Sequence, residues 1–187
     1  MLKRIIDVLC AALGLVVLSP ILLVAAIAVA LESPGPVIFR QVRVGLNNRP
    51  FVIFKFRSMR VDTPDIPTDQ LSEPGRYITR VGAFLRKSSL DELPQLYNIL
   101  IGDMSLVGPR PALHNQAKLI QLRTELGIHE LRPGLTGWAQ INGRDDVTDE
   151  QKVELDSYYR AHQSLYLDIL ILLRTFGVVS TAKGVKA

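Results

Sequence analysis

A single cysteine, Cys10, occurs in the whole chain, so no intrachain disulfide can form and nothing points to an oxidising compartment. Charge is missing from Val8 to Leu31, 24 consecutive positions (8 to 31 inclusive). That run is longer than the roughly 7 to 15 apolar residues of a secretory leader, and no small-x-small site stands clearly at its end, so a cleaved signal peptide fits poorly. No recognised nucleic-acid motif is found either. The net charge of +4, from 22 basic and 18 acidic residues, with a pI near 9.4, suits an anionic membrane surface or phosphate-bearing ligands.

As one straight helix the uncharged run would be about 36 Å long, enough for a hydrocarbon core of about 30 Å. Two features oppose a simple span. Pro20 has no N–H for the carbonyl of Val16 and its ring crowds that carbonyl, so the helix should kink or break there, with the Ser19 hydroxyl able to bond the freed oxygen. Lys3 and Arg4 precede the run and Arg40, Arg43 and Arg49 follow it, which places both flanks on the cytoplasmic side. A re-entrant helix-break-helix over residues 1–32, kinked at Ser19-Pro20, satisfies both. A kinked span and a buried core helix are the alternatives. The remaining residues, 33–187, are the size of one domain and can bury a core of their own.

Ser33-Pro34-Gly35-Pro36 ends the helical pattern. The runs Val37 to Val44 and Phe51 to Phe56 are β-branched and aromatic, and Gly45 to Pro50 between them is rich in turn formers, which predicts a β-hairpin with Lys55 and Arg57 on one face. Asp62 to Glu73 alternates acids with prolines and reads as a mobile loop whose spacing matches no calcium loop. Ser89-Leu90-Asp91-Glu92 is a capping box on its face, opening an amphipathic helix with Leu93, Leu96, Tyr97 and Leu100 inside. Pro94 conflicts with that reading, because at the fifth position it would clash with the turn below. A start near Pro94 instead puts Asp91 and Glu92 at the mouth of a helix, where an ionised carboxylate can serve as nucleophile beside a metal-binding one.

Arg110 stands between Pro109 and Pro111, a stiff segment that suits bidentate capture of phosphate or carboxylate, or a structural salt bridge. Gln116 to Leu126 predicts a scaffold helix ended by Gly127. Arg132-Pro133-Gly134 carries the Pro-Gly pair of a type II turn. Trp138, the only tryptophan, is open to three roles: stacking on a flat ligand, an interfacial anchor, or core packing. Lys152, Asp156 and Arg160 follow at i,i+4 spacing, the pattern of a solvated helix face. Leu165 to Leu173 is apolar but too short to span, which leaves an interfacial helix, with Arg174 reaching headgroups, or core burial.

Taken in order, Ser19-Pro20, Lys55 to Met59, Ser89 to Gln95, Gly102 to Pro111, Arg132 to Arg144 and Leu155 to Tyr159 resemble the bacterial sugar transferase family, the monotopic phosphoglycosyl transferases, over nearly the whole chain. The resemblance implies an α+β, mainly α fold: a re-entrant membrane helix, a β-hairpin and interfacial amphipathic helices around a small catalytic domain, in its minimal single-domain form. It implies transfer of a sugar-1-phosphate from a UDP-sugar to polyprenyl (undecaprenyl) phosphate, with UMP released and a covalent aspartyl phospho-sugar intermediate. This would be the first membrane step of glycan assembly, at the cytoplasmic face of the bacterial inner membrane. Carried onto this sequence, Asp91 is the nucleophile and Glu92 a ligand of Mg²⁺. Lys55, Arg86, Arg110 and Arg144 are the cations for the phosphates, Arg86 nearest the lipid phosphate, and Asp156 is a member of the site. Pro133, Gly134 and Trp138 lie on the nucleotide side. Overall resemblance points to an N-acetylated sugar, and nothing in the sequence speaks to oligomeric state. Two alternatives stand beside this reading: a glycosyltransferase that releases UDP, and a non-catalytic membrane interaction protein that would be indifferent to the loss of Asp91.

Overall fold

The computed structural model describes residues 1–64, 74–143 and 147–181. The fold is α+β and mainly helical. Helices α1 (Leu2–Val17) and α2 (Ser19–Glu32) are bent by 62° at the break between them. The chemistry of the break follows the sequence: the Ser19 hydroxyl donates to the Val16 carbonyl at 2.7 Å, the carbonyl that Pro20 cannot serve. Among the described residues no single helix is long and apolar enough to cross a membrane, whereas this bent pair together has the length and composition of a broken span or re-entrant loop.

Strands β1 (Ile38–Val44) and β2 (Pro50–Phe56) form the expected antiparallel hairpin, in register from Ile38 opposite Phe56 to Val44 opposite Pro50. Its connection holds Asn47 and Asn48 in the left-handed region, which asparagine tolerates better than most residues. After α3 (Arg80–Lys87) and α4 (Gln95–Ile101) come β3 (Ser105–Val107), β4 (Ala112–Leu113), α5 (Ala117–Glu125), β5 (Gly134–Thr136), α6 (Trp138–Asn142), α7 (Asp149–Ala161) and α8 (Leu165–Thr181). One sheet has the order β2-β1-β4; β3 and β5 make a separate parallel pair.

The apolar N-terminal helices are built into the core. Ala11 packs with Ile53, Leu96, Ile99 and Met104, and Ala25 and Val29 pack with Phe56 and Leu85. Their other faces, among them Leu9, Leu13, Val16, Leu23, Val24 and Ile27, are exposed. Polar pins hold α1 in place. Buried Asp7 accepts from the Ser105 hydroxyl at 2.8 Å and the Leu106 amide at 3.1 Å. Arg4 donates to the carbonyls of Ile99 and Leu100. Lys3 pairs with Asp168 at 2.7 Å, and Tyr159 donates to the other oxygen of that carboxylate at 2.6 Å.

Four local expectations are corrected or refined. Gly134 is a strand residue and not the positive-φ corner of a type II turn; a side chain there would collide with the backbone of Gly108 across the β3–β5 pair, so glycine serves close approach. Arg57 lies one residue past the end of β2, buried, and donates to the carbonyls of Ser33 and Pro34, while lining the same cavity as Lys55. The i,i+4 charge ladder of α7 does not form: Lys152 pairs with Asp149, Arg160 with Glu130 and Asp156 with Arg123. Buried Asp156 is the acid that long-range packing claims. Finally α8 is longer than its apolar core, burying Leu167, Asp168 and Ile171 while exposing Tyr166, Ile169, Leu173 and Phe176. Most of the acidic, proline-rich stretch Asp62 to Glu73 lies outside the described residues.

Candidate active site

Asp91 and Glu92 sit in a 3₁₀ turn, Leu90–Glu92, between α3 and α4. Ser89 before it adopts φ 55°, ψ 17°, which turns the chain sharply out of α3, and its side chain makes no cap bond. Pro94, with φ −59°, is the residue at which α4 begins. The capping box is therefore not formed. Instead of reaching back to Ser89, Glu92 reaches across the molecule: its Oε1 accepts from Lys55 Nζ at 2.6 Å and from an Arg110 terminal nitrogen at 3.1 Å. Two charge-assisted bonds from distant elements outcompete one local amide.

The placement of Lys55 depends on a residue that spacing alone does not reveal. Asn98, fully buried on α4, lays its amide against the free edge of β2, accepting from the Phe54 amide at 3.1 Å and donating to the Val52 carbonyl at 2.7 Å. It substitutes for a neighbouring strand and so brings β2, with Lys55, to the turn that follows α3. Polar positions flanked by apolar ones on an amphipathic helix are the only sequence signal for such a role. Arg57 and Arg123, also buried, likewise bond backbone carbonyls, and of the two only Arg123 is unflagged by spacing.

The electrostatics of the acidic pair are asymmetric. Burial pushes the Asp91 carboxyl up to about 6, Glu92 adds to the rise, and Lys55, Arg86 and Arg110 oppose it. Burial works in the same upward direction on Glu92, but Arg110 and Lys55 outweigh it and hold that carboxyl well below the usual range. Burial lowers the Lys55 ammonium, against the pull of Glu92. Glu92 is thus the fixed anion of the pair and Asp91 the group whose charge is unfavourable without a partner.

Both acids open onto a cavity of about 1000 Å³. Lys55, Arg86 and Arg110 line it, and so do Gly14 and Leu18 at the helix break and Leu172, Thr175 and Phe176 of α8. A cationic polar wall and an apolar wall from the broken helix pair share one space. Pro133, Gly134 and Trp138 are not among its lining residues, although Leu135, Thr136, Ala139 and Gln140 are. Trp138 stacks on Tyr158, ring centroids 5.1 Å apart and 21° between planes, with the Arg174 guanidinium 5.9 Å from its ring. Asp156 does not reach the acidic pair; it is bound to Arg123. Arg144 lies outside the described residues.

As to a metal, the described residues hold no cluster of three or more acidic, histidine or cysteine side chains. The site offers two adjacent carboxylates, and Glu92 spends one oxygen on cations. That donor set fits Mg²⁺, which binds through one or two carboxylates and completes its shell with water and substrate phosphate oxygens.

An acidic pair ringed by cations thus lies where a broken apolar helix pair meets a helical domain. The sequence matches the bacterial sugar transferase family profile over residues 1–182, and the chain belongs to that family. It is 45% identical over 182 residues to an Escherichia coli (strain K12) UDP-glucose:undecaprenyl-phosphate glucose-1-phosphate transferase, which covers 94% of this chain and 39% of the relative. It is 43% identical over 185 residues to the Bacillus subtilis (strain 168) sugar transferase EpsL, 99% of this chain and 90% of the relative. An Aeromonas hydrophila UDP-N-acetylgalactosamine-undecaprenyl-phosphate N-acetylgalactosaminephosphotransferase is 41% identical over 192 residues, 99% of this chain and 45% of the relative. The chain therefore spans less than half of the Escherichia coli and Aeromonas proteins.

Proposed function

We propose that this protein transfers a sugar-1-phosphate from a UDP-sugar to undecaprenyl phosphate and releases UMP, working as a monotopic enzyme on the cytoplasmic face of the membrane. The observation that carries the reading is the convergence of Asp91, Glu92, Lys55 and Arg110 on a cavity also walled by the α1–α2 break. The names of the relatives support the same donor and acceptor classes.

In the first step a carboxylate oxygen of Asp91 attacks the β-phosphorus of the UDP-sugar. The bond from that phosphorus to the bridging oxygen breaks, and UMP leaves with the electron pair. In the second step an oxygen of undecaprenyl phosphate attacks the aspartyl phosphodiester, the bond to Asp91 breaks, and the carboxylate is restored. Lys55, Arg86 and Arg110 supply fixed positive charge where the diphosphate and the incoming phosphate crowd together, which lowers the cost of bringing an anionic nucleophile up to them. Glu92 would hold Mg²⁺, which when bound adds further charge neutralisation at the phosphates. Arg110 and Lys55 keep Glu92 ionised for that purpose.

The test is turnover of nanodisc-embedded protein with Mg²⁺, undecaprenyl phosphate and a panel of UDP-sugars, with the released nucleotide identified. The panel includes UDP-glucose and UDP-N-acetylgalactosamine, because the relatives are named for both sugars. UMP release that is abolished in Asp91→Asn is the expected outcome. Release of UDP would mark a glycosyltransferase instead, and undiminished activity of Asp91→Asn would overturn the covalent mechanism.

A further inference from the structure

Arg110 owes its position to three successive backbone carbonyls, each held by a different element. The Gly134 amide donates to Pro109 O at 2.9 Å, Arg123 to Arg110 O at 2.8 Å, and Arg43 to Pro111 O at 3.2 Å. The flanking prolines restrict the segment to extended backbone. Pro111 confines ψ of residue 110 to the extended range, and the carbonyl so presented is the atom that Arg123 bonds.

Arg123 is itself oriented. It lies on α5, 8% exposed, and its Nε and one terminal nitrogen grip a single oxygen of Asp156 at 3.0 and 2.6 Å. Asp156, 1% exposed on α7, carries a carboxyl that burial raises and Arg123 lowers. A buried ion pair adds little stability over an apolar pair of the same volume. What this one supplies is direction, since the carboxylate fixes the plane of the guanidinium and aims its remaining nitrogen at the backbone of Arg110.

We propose that Arg123, locked by Asp156, is a positioning residue that holds the backbone of Arg110 so that its guanidinium meets Glu92. The proposal rests on the reading of Arg110 as a phosphate-site cation. It gives Asp156 a role in the reaction without contact with substrate, and it assigns a role to Arg123, which carries no motif signature.

The test uses the full chain in nanodiscs, with nucleotide release followed for whichever UDP-sugar turns over. Arg123→Lys keeps the charge facing Asp156 but loses the fork that serves two acceptors at once. The double variant Arg123→Gln/Asp156→Asn removes both charges together and so leaves neither buried alone. Each is expected to lower kcat about tenfold, the effect of about 1.4 kcal/mol in the transition state, with KM for the sugar nucleotide moving less than about threefold. In an Arg110→Met background the same changes should cost nothing further, because their route of action is gone. Losses that multiply in that background, or unchanged kcat in Arg123→Lys, would overturn the proposal. Hydrogen exchange of residues 108–113 reads the clamp without catalysis: it should quicken in Arg123→Lys while α4 is unchanged, and an unaltered segment would also overturn it. Absence of nucleotide release from the unmodified protein would count against the proposed function alone, the exchange measurement still deciding the clamp.

Discussion

At Asp91 folding and the proposed chemistry pull apart, since burial raises its carboxyl to about 6 whereas the proposed attack on phosphorus requires the ion. A carboxyl whose pKa is higher in the folded than in the unfolded chain binds protons more tightly when folded. Its contribution to stability is therefore favourable in acid and is lost as pH climbs from its ordinary value of 3.8 through about 6. Asp91→Asn should abolish turnover and yet raise the thermal midpoint by several degrees at pH 8, corresponding to at most about 3 kcal/mol. At pH 4 the two proteins should melt together. Equal midpoints at pH 8 in detergent thermal scans would show that the cations already neutralise Asp91 in full. Glu92 answers the opposite way to the same burial because two cations bond it directly, so adjacent carboxylates divide into a resident anion and one whose ionisation burial opposes.

Among the elements, the α1–α2 break ties the exposed apolar faces of these helices to the site. Leu18 at the break and Gly14 before it line the cavity, and α4, which follows the acidic turn, packs on α1 through Leu96 and Ala11. Pro20→Ala restores an N–H for the Val16 carbonyl and removes the ring that crowds it, which allows one straight helix through residue 19. Cysteines placed at either end of residues 1–32 should then label from opposite sides of an oriented vesicle, where the unmodified protein labels from one, and turnover should fall with the distorted cavity. Labelling from one side in the variant would mean that tertiary packing, rather than proline, sets the bend. The exit of α2 is reinforced independently: Glu32 accepts the Val81 amide at the start of α3, and Arg57 bonds the carbonyls of Ser33 and Pro34. Helix α3 carries Arg86, so the bent helix pair and the cationic wall are joined by direct bonds.

On the scale of the whole molecule, Ala11, Ala25 and Val29 complete two of the hydrophobic clusters, and Lys3, Arg4 and Asp7 bond residues on α4, β3 and α8. A chain beginning at residue 33 would expose the faces of Ile53, Leu96, Phe56 and Leu85 that these residues cover. Such a truncation is expected to show no cooperative unfolding transition in detergent, and a sharp transition near that of the full chain would refute it.

What could be read from the sequence alone was local. The serine-proline break, the hairpin, the helix ended by Gly127 and the late start at Pro94 all arise from backbone chemistry within a few residues, where a missing N–H, a glycine or a β-branched run has one cheap solution. The membrane-leaning composition and the Asp91-Glu92 turn were legible for the same reason. Local rules also misled: a capping box at Ser89, a type II turn at Gly134 and an i,i+4 ladder through Asp156 are each favourable in isolation by about 1 kcal/mol or less. Tertiary structure overrode the first and third because a buried carboxylate gains more from charged donors brought together across the fold, and the second because β5 pairs closely with β3 at Gly134. Only the folded chain decided that Glu92 meets Lys55 and Arg110, that Asn98 edges β2 and that Arg123 bonds both Asp156 and the Arg110 carbonyl. Those partners come from separate elements, and no spacing along the sequence encodes which ends of a folded chain will meet.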